Sequence, residues 1–328
     1  METKENSQGP QYRAALLELR NFLSSQILGQ EKLVERLLIA LLADGHMLVE
    51  GAPGLAKTKA IKELAEGIEA EFHRIQFTPD LLPADITGTE IYRPETGSFV
   101  FQQGPIFHNL VLADEINRAP AKVQSALLEA MAERQVSVGR STYDLSPLFL
   151  VMATQNPIEQ EGTYPLPEAQ LDRFLMHVKI GFPDASVERK ILMQARGEAL
   201  HGEEKPEHRV SQHAIFAARK EILGLYMADA VEEYLVQLVM ASRTPAKFDP
   251  ELAEWISYGA SPRGSIALDR CARAHAWLAG RDFVSPEDIQ AVLFDVLRHR
   301  IILSFEAEAA GIDQDRVIQR ILDVVAVA

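Results

Sequence analysis

The apolar and polar positions of this chain follow two rhythms. Up to about residue 180, short apolar runs at residues 46–50, 72–77, 109–113, 148–153 and 175–180 alternate with helical or loop segments. Runs that are apolar throughout suit strands buried on both faces, and strands separated by crossovers predict a five-stranded parallel sheet between helices. Helical spacing at residues 14–24 and 32–42 precedes the first strand, with Ile27-Leu28-Gly29-Gln30 between the two helices. After Gly181-Phe182-Pro183-Asp184 almost every segment is helical, including residues 187–195, 231–241, 264–279, 286–297 and 315–325. Ser285-Pro286-Glu287-Asp288 is a helix start, with Ser as N-cap, Pro at N1 and acids in the first turn. The polar stretch 197–209 reads as a linker. The expected organisation is an α/β nucleotide-binding domain at 1–181, a linker and lid start at 182–210, and an all-helical lid at 211–328.

The first strand runs into Gly51-Ala52-Pro53-Gly54-Leu55-Ala56-Lys57-Thr58, and a helical pattern follows at once. A buried strand, a glycine-bearing turn and Lys-Thr at a helix start make a phosphate-binding loop. Backbone N–H groups and the helix dipole face the anion, Lys57 reaches the β/γ-phosphates, and the Thr58 hydroxyl coordinates Mg²⁺. The strict pattern has Gly where this chain has Ala56. That is tolerable if φ is negative there.

The strand at 109–113 ends in Asp114-Glu115, and the strand at 148–153 ends in Thr154-Gln155-Asn156-Pro157. In phosphoryl transfer to water, Asp114 would hold the Mg²⁺ shell and Glu115 would orient the attacking water. The Asn156 amide would hydrogen-bond the γ-phosphate or that water. Residues 89–101 and 133–145 each read as two short strands around a Gly-containing turn, with Tyr92, Phe99 and Arg140 as exposed-contact candidates.

These elements, in this order, resemble the AAA+ ATPases, most closely the MoxR family. The resemblance is carried by residues 51–58, Gly104-Pro105-Ile106-Phe107, Leu112-Ala113-Asp114-Glu115-Ile116-Asn117-Arg118-Ala119-Pro120, Ala126-Leu127-Leu128-Glu129-Ala130-Met131, Ala153-Thr154-Gln155-Asn156-Pro157 and the run from Glu161 to Phe174. Proteins of this family also carry Ala before the loop Lys. The resemblance implies that Arg173 is an arginine finger for the γ-phosphate of a neighbouring subunit. It implies that Arg263 is a second sensor acting on the chain's own nucleotide, and that Leu28, Gly29 and Gln30 lie against the adenine. Arg118 could also face the subunit boundary. The two hairpins match inserts of the AAA+ branch shared with magnesium-chelatase motor subunits and MCM helicases. The implied activity is Mg²⁺-dependent ATP hydrolysis in a homo-oligomer, a hexameric ring, coupled to remodelling of a protein partner. Such proteins often act beside a von Willebrand factor A domain protein.

Composition narrows the rivals. The chain has 328 residues, 47% hydrophobic and 24% charged, with no apolar stretch long enough to span a bilayer. Residues 1–7 lack a signal peptide's apolar core, so a cytoplasmic location is expected. A net charge of −14 works against a nucleic-acid motor, whose binding relies on phosphate neutralisation. The other rival is an ATP-binding scaffold with slow turnover. The single cysteine, Cys271, excludes an internal disulfide and reads as a passive thiol on a helix, and the nine His show no metal-ligand spacing.

Overall fold

Continuous apolar runs have nowhere to go but between two covering layers, and the computed structural model, which describes residues 9–158, 162–202 and 204–327, builds that arrangement. The N-terminal reading at 1–7, and Glu161 of the family-like run, lie outside the described residues. In chain order the first part comprises α1 (Gly9–Gln26), α2 (Glu31–Leu42), β1 (Met47–Glu50), α3 (Lys57–Gly67), β2 (Phe72–Gln76), α4 (Pro83–Thr87), β3 (Gly88–Arg93), β4 (Ser98–Gln103), β5 (Leu110–Asp114), α5 (Ala121–Glu133), β6 (Gln135–Val138), β7 (Ser141–Asp144), β8 (Leu150–Gln155), α6 (Glu168–Leu171) and β9 (Met176–Lys179). All five expected strands form one parallel sheet in the order β2-β5-β8-β1-β9.

Side chains alternate across this sheet. Met47, Val49, Leu110, Leu112, Leu150 and Met152 enter the core under α1, α2 and α3. Leu48, Val111, Ala113, Val151 and Ala153 enter a second core under α4 and α5. Both hairpins form as antiparallel ladders, β3 with β4 and β6 with β7. They meet where Phe101 stacks on Tyr143 with ring centroids 4.0 Å apart. Tyr92 and Phe99 pair at 5.3 Å and are both exposed, as is Arg140.

The remaining elements are α7 (Ala185–His201), α8 (Gln212–Leu223), β10 (Tyr226–Met227), α9 (Asp229–Arg243), α10 (Pro250–Trp255), β11 (Ile256–Tyr258), α11 (Pro262–Leu278), β12 (Phe283–Val284), α12 (Pro286–Leu297), β13 (Ile302–Leu303), α13 (Phe305–Ala309) and α14 (Gln314–Val324). Two expectations need correction. The supposed linker is partly helix, because residues 197–201 complete α7, which is started by the Asp184 carboxylate accepting from the N–H groups of Ser186 and Val187. The lid is not wholly helical, since β10–β12 and β11–β13 form two-stranded ladders. The helix start at Ser285 forms as read, and Asp288 Oδ2 also accepts from the Ser285 N–H at 2.9 Å, which completes a capping box.

The later helices share the α2-side core, where Trp277 and Tyr234 are fully buried. A buried carboxylate fixes their position. Asp295 of α12 accepts from Lys32 and Arg36 of α2 and from Arg298, each at 2.9 Å. Burial works to raise its pKa, but the charges of Lys32 and Arg36 prevail and hold it below the ordinary value. Cys271 is buried in α11, and burial pushes its thiol up to about 12, so it stays an inert thiol. No helix among the described residues is long and apolar enough to cross a membrane.

Candidate active site

The loop between β1 and α3 is shaped by close approach at one end and backbone reversal at the other. A Cβ on Gly51 would stand 2.5 Å from Cγ1 of Ile180, so only glycine fits. Gly54 holds φ at +84°. Ala56 overturns the expectation of negative φ: it sits at φ +56°, ψ +19°, left-handed, as the residue capping α3. The turn needs that reversal to direct successive N–H groups into one hollow at the helix N-terminus, and the methyl is carried at a cost of roughly 1 kcal/mol. Lys57 donates from Nζ to Gly51 O at 2.6 Å, which fastens the head of the loop to its root. Burial lowers the Lys57 pKa, opposed by the charges of Asp114 and Glu115.

Pairing of β5 with β8 and β2 brings the remaining groups to the same end of the sheet. Lys57, Thr58, Asp114, Glu115 and Asn156 line one cavity of about 400 Å³, together with Pro53, Gly54, Leu55 and Ala56. Asp114 ends β5, and its Oδ1 accepts from the Thr154 hydroxyl at 2.6 Å, while its Oδ2 accepts from Arg74 at 2.6 and 3.1 Å. Glu115 turns out of the strand at φ +57°, and its N–H donates to the same Thr154 oxygen at 2.9 Å. That reversal separates the two carboxylates. Glu115 Oε2 accepts from Gln76 at 2.8 Å and from Arg118 at 3.0 Å. Asn156 is buried and uses its carbonyl internally, accepting from Ile158 N–H at 3.1 Å, which leaves its NH₂ donors for a ligand.

Three contributors were missed in the sequence: Arg74, Gln76 and Thr154. Gln76 faces Asp114 across the β2–β5 pairing, and Ala113 faces Ala153, one position before Asp114 and Thr154. Strand register brings these groups together, and a linear sequence shows no register. Thr154 lies inside a motif already singled out, whereas Arg74 and Gln76 lie in the run 72–77, which was read only as a strand.

A second cavity of about 380 Å³ lies on the other flank of the loop, lined by Ile27, Leu28, Gln30, Gly54, Ala56 and residues of α7. Gly29, at φ +74°, leaves no room for a side chain, because a Cβ would stand 2.6 Å from Val187 Cγ1. Gln30 donates to Gly181 O at 2.9 Å.

Arg173 and Arg263 are not in either cavity. Arg173 precedes β9, whose Met176 pairs with Met47 at the start of β1, whereas the phosphate-type loop leaves the far end of β1 after Glu50. A four-residue strand spans about 13 Å, so Arg173 lies at the opposite end of the strands from its own loop. Arg263, the second residue of α11, belongs to that end too, with Nη1 3.8 Å from Asp172 Oδ2. The guanidinium of Arg263, expected to act on the chain's own nucleotide, thus sits beside Asp172, the residue next to Arg173, and not among the residues that line the cavity around Lys57.

With that geometry in place, comparison with known proteins is decisive for the family. Residues 46–176 match the ATPase family associated with various cellular activities (AAA), and residues 252–321 match the AAA lid domain. The chain is 46% identical over 303 residues to Chaperone MoxR1 of Mycobacterium tuberculosis, covering 92% of this chain and 79% of that one. It belongs to the MoxR family of AAA+ ATPases. Protein MoxR of Methylorubrum extorquens is 32% identical over 323 residues, 93% of each chain. The crystal structure of a proposed ATPase from Cytophaga hutchinsonii superposes with a TM-score of 0.91 at 45% identity, covering 98% of both chains. In this MoxR-family chain the cavity around Lys57 lies within the matched AAA region, and Arg263 stands at the start of a helix inside the matched lid.

Proposed function

We propose that the chain hydrolyses ATP at boundaries between copies of itself. One observation carries this reading: Lys57, Thr58, Asp114, Glu115 and Asn156 converge on one cavity while Arg173 lies at the opposite end of the strands. A single copy has the loop, the acids and the amide, but its arginine faces another molecule. Lys57 and the loop N–H groups bind the phosphates, and the Asn156 amide orients the γ-phosphoryl oxygens. Glu115 holds and polarises the attacking water. Arg173 of one copy, with Arg263 beside it, supplies positive charge to the nucleotide of its neighbour.

Thr58 and Asp114 suit Mg²⁺ because both offer hard oxygen donors in the same cavity. Two protein ligands leave most of an octahedron to water and phosphate, as that ion prefers. The ion would neutralise phosphate charge. The adjoining cavity beside Leu28 and Gln30 takes the adenine. The reading extends to a hexameric ring in the cytoplasm that remodels a protein partner through a von Willebrand factor A domain protein. The name Chaperone MoxR1 carried by a relative supports a chaperone-like role. The net charge of −14 disfavours the nucleic-acid motor, for which DNA-stimulated turnover falling steeply with salt would be the sign.

Glu115→Gln tests the chemistry. ATP hydrolysis should fall by roughly 10²-fold or more while ATP binding by calorimetry is retained. An unchanged turnover removes Glu115 from the mechanism, and undetectable turnover in the unsubstituted protein favours the scaffold instead.

A further inference from the structure

The turn that follows α12, Arg298-His299-Arg300, is buried, and all three side chains reach β9 or the segment leading into it. Arg298 donates to His177 O at 2.6 Å, and His299 donates from Nε2 to Phe174 O at 3.0 Å. Arg300 is engaged most fully. Its Nε donates to Asp172 Oδ1 at 2.9 Å, and its Nη2 donates to Asp172 O at 3.3 Å and Phe174 O at 2.6 Å. Its Nη1 donates to Leu175 O at 3.2 Å and to Val296 O. All five donors of a guanidinium are met, four of them by acceptors in residues 172–175. Those acceptors stand on both sides of Arg173. Arg173 itself is half-buried, and its side chain has no hydrogen-bond or ion-pair partner among the described residues.

An arginine side chain only 2% exposed is expensive to bury, and the carboxylate of Asp172 together with the carbonyls offsets that cost. A plain tie between the end of α12 and β9 needs no such fork, since the bond from Arg298 to His177 O already joins them. What the fork adds is a fixed backbone around a residue whose head is free. A displacement of about 1 Å in a catalytic group can cost roughly 10²-fold in rate.

We propose that Arg300 is a positioning residue for Arg173: its fork fixes the backbone on both sides of Arg173, so that the Arg173 guanidinium meets the neighbouring copy's nucleotide in one geometry. This rests on the reading of Arg173 as acting across an interface. Lysine cannot replace the fork, because one nitrogen cannot span acceptors spread over residues 172–175.

The test is subunit mixing. Arg300→Lys alone should lose ten-fold or more in kcat, with ATP affinity unchanged. Mixed with Lys57→Ala, which lacks a working loop but carries an intact Arg173, it should regain activity. Mixed with Arg173→Ala it should regain none. A defect of general structure would weaken ATP binding and show no such preference between partners. Should Arg300→Lys fail to assemble, Asp172→Asn, which keeps the shape but removes the charge beneath the fork, goes through the same mixes with the same expectation. The control mix of Lys57→Ala with Arg173→Ala separates the two ideas. If it regains nothing, the cross-interface reading fails. If it regains activity but Arg300→Lys keeps full kcat, loses ATP affinity, or is rescued by both partners or by neither, the positioning role alone is overturned.

Discussion

Ala56 holds a left-handed conformation that costs an L-residue roughly 1 to 2 kcal/mol, and it does so at the head of the phosphate-type loop. Ala56→Gly should relieve that strain, while the added freedom of the unfolded chain takes back up to about 1 kcal/mol. The net expectation is a gain of up to about 1 kcal/mol, read as a higher urea midpoint at unchanged m. The Ala56 methyl also packs partly against the core. A loss of more than about 1 kcal/mol would show that this packing outweighs the strain. Glu115 holds a similar left-handed backbone, and there the reversal is what parts the two carboxylates. Neither conformation was legible in the sequence, because residue type alone favours negative φ for both. Arg263 was legible as a residue with a role, but its place beside Asp172 was not.

His46 shows how elements are joined at the entry to β1. Its Nδ1 accepts from Val151 N–H of β8 at 3.0 Å, and its Nε2–H donates to Met131 O of α5 at 3.2 Å. Strand, strand and helix meet at one neutral ring. Burial is the main cause that lowers its pKa from 6.5 to about 4, with Arg134 adding to the effect. The sign follows from linkage: the unfolded chain takes up a proton below pH 6.5 that the folded ring refuses until about pH 4. The contribution of neutral His46 is therefore complete above pH 6.5 and is lost progressively as pH falls to about 4, by roughly 3 kcal/mol in all. Urea unfolding at pH 7 and pH 4.5 checks this, with His46→Gln expected to show a shallower acid slope than the unsubstituted protein. Equal slopes would place the acid sensitivity elsewhere. The central strands were legible from their apolar runs, because burial on both faces demands such runs, whereas β2 at the edge carries exposed His73, Arg74 and Gln76. The helical span 197–201 was not, since α7 has no buried residues and its polar composition imitates a linker.

At the scale of the whole molecule, the cavity lies at one end of the sheet and the arginines at the other, and on the proposed reading a single copy is an incomplete hydrolase. Specific ATPase activity per chain should therefore fall on dilution below the assembly concentration, and the fall should coincide with loss of the oligomer in light scattering. A flat profile would mean a self-sufficient monomer. What the sequence by itself determined is local: a strand that ends in Gly51 to Thr58, acids that end another strand, an amide that ends a third, and helices after residue 181. Each follows from spacing and residue type within a short window, where backbone geometry and burial leave few alternatives. Only the tertiary structure decided that Thr154 bridges Asp114 to the Glu115 backbone, that Arg74 and Gln76 face the acids, and that Arg300 grips the segment around Arg173. Those contacts depend on strand register and on how the last helices pack back onto β9. Both are settled by the sum of many distant contacts, which no short stretch of chain contains.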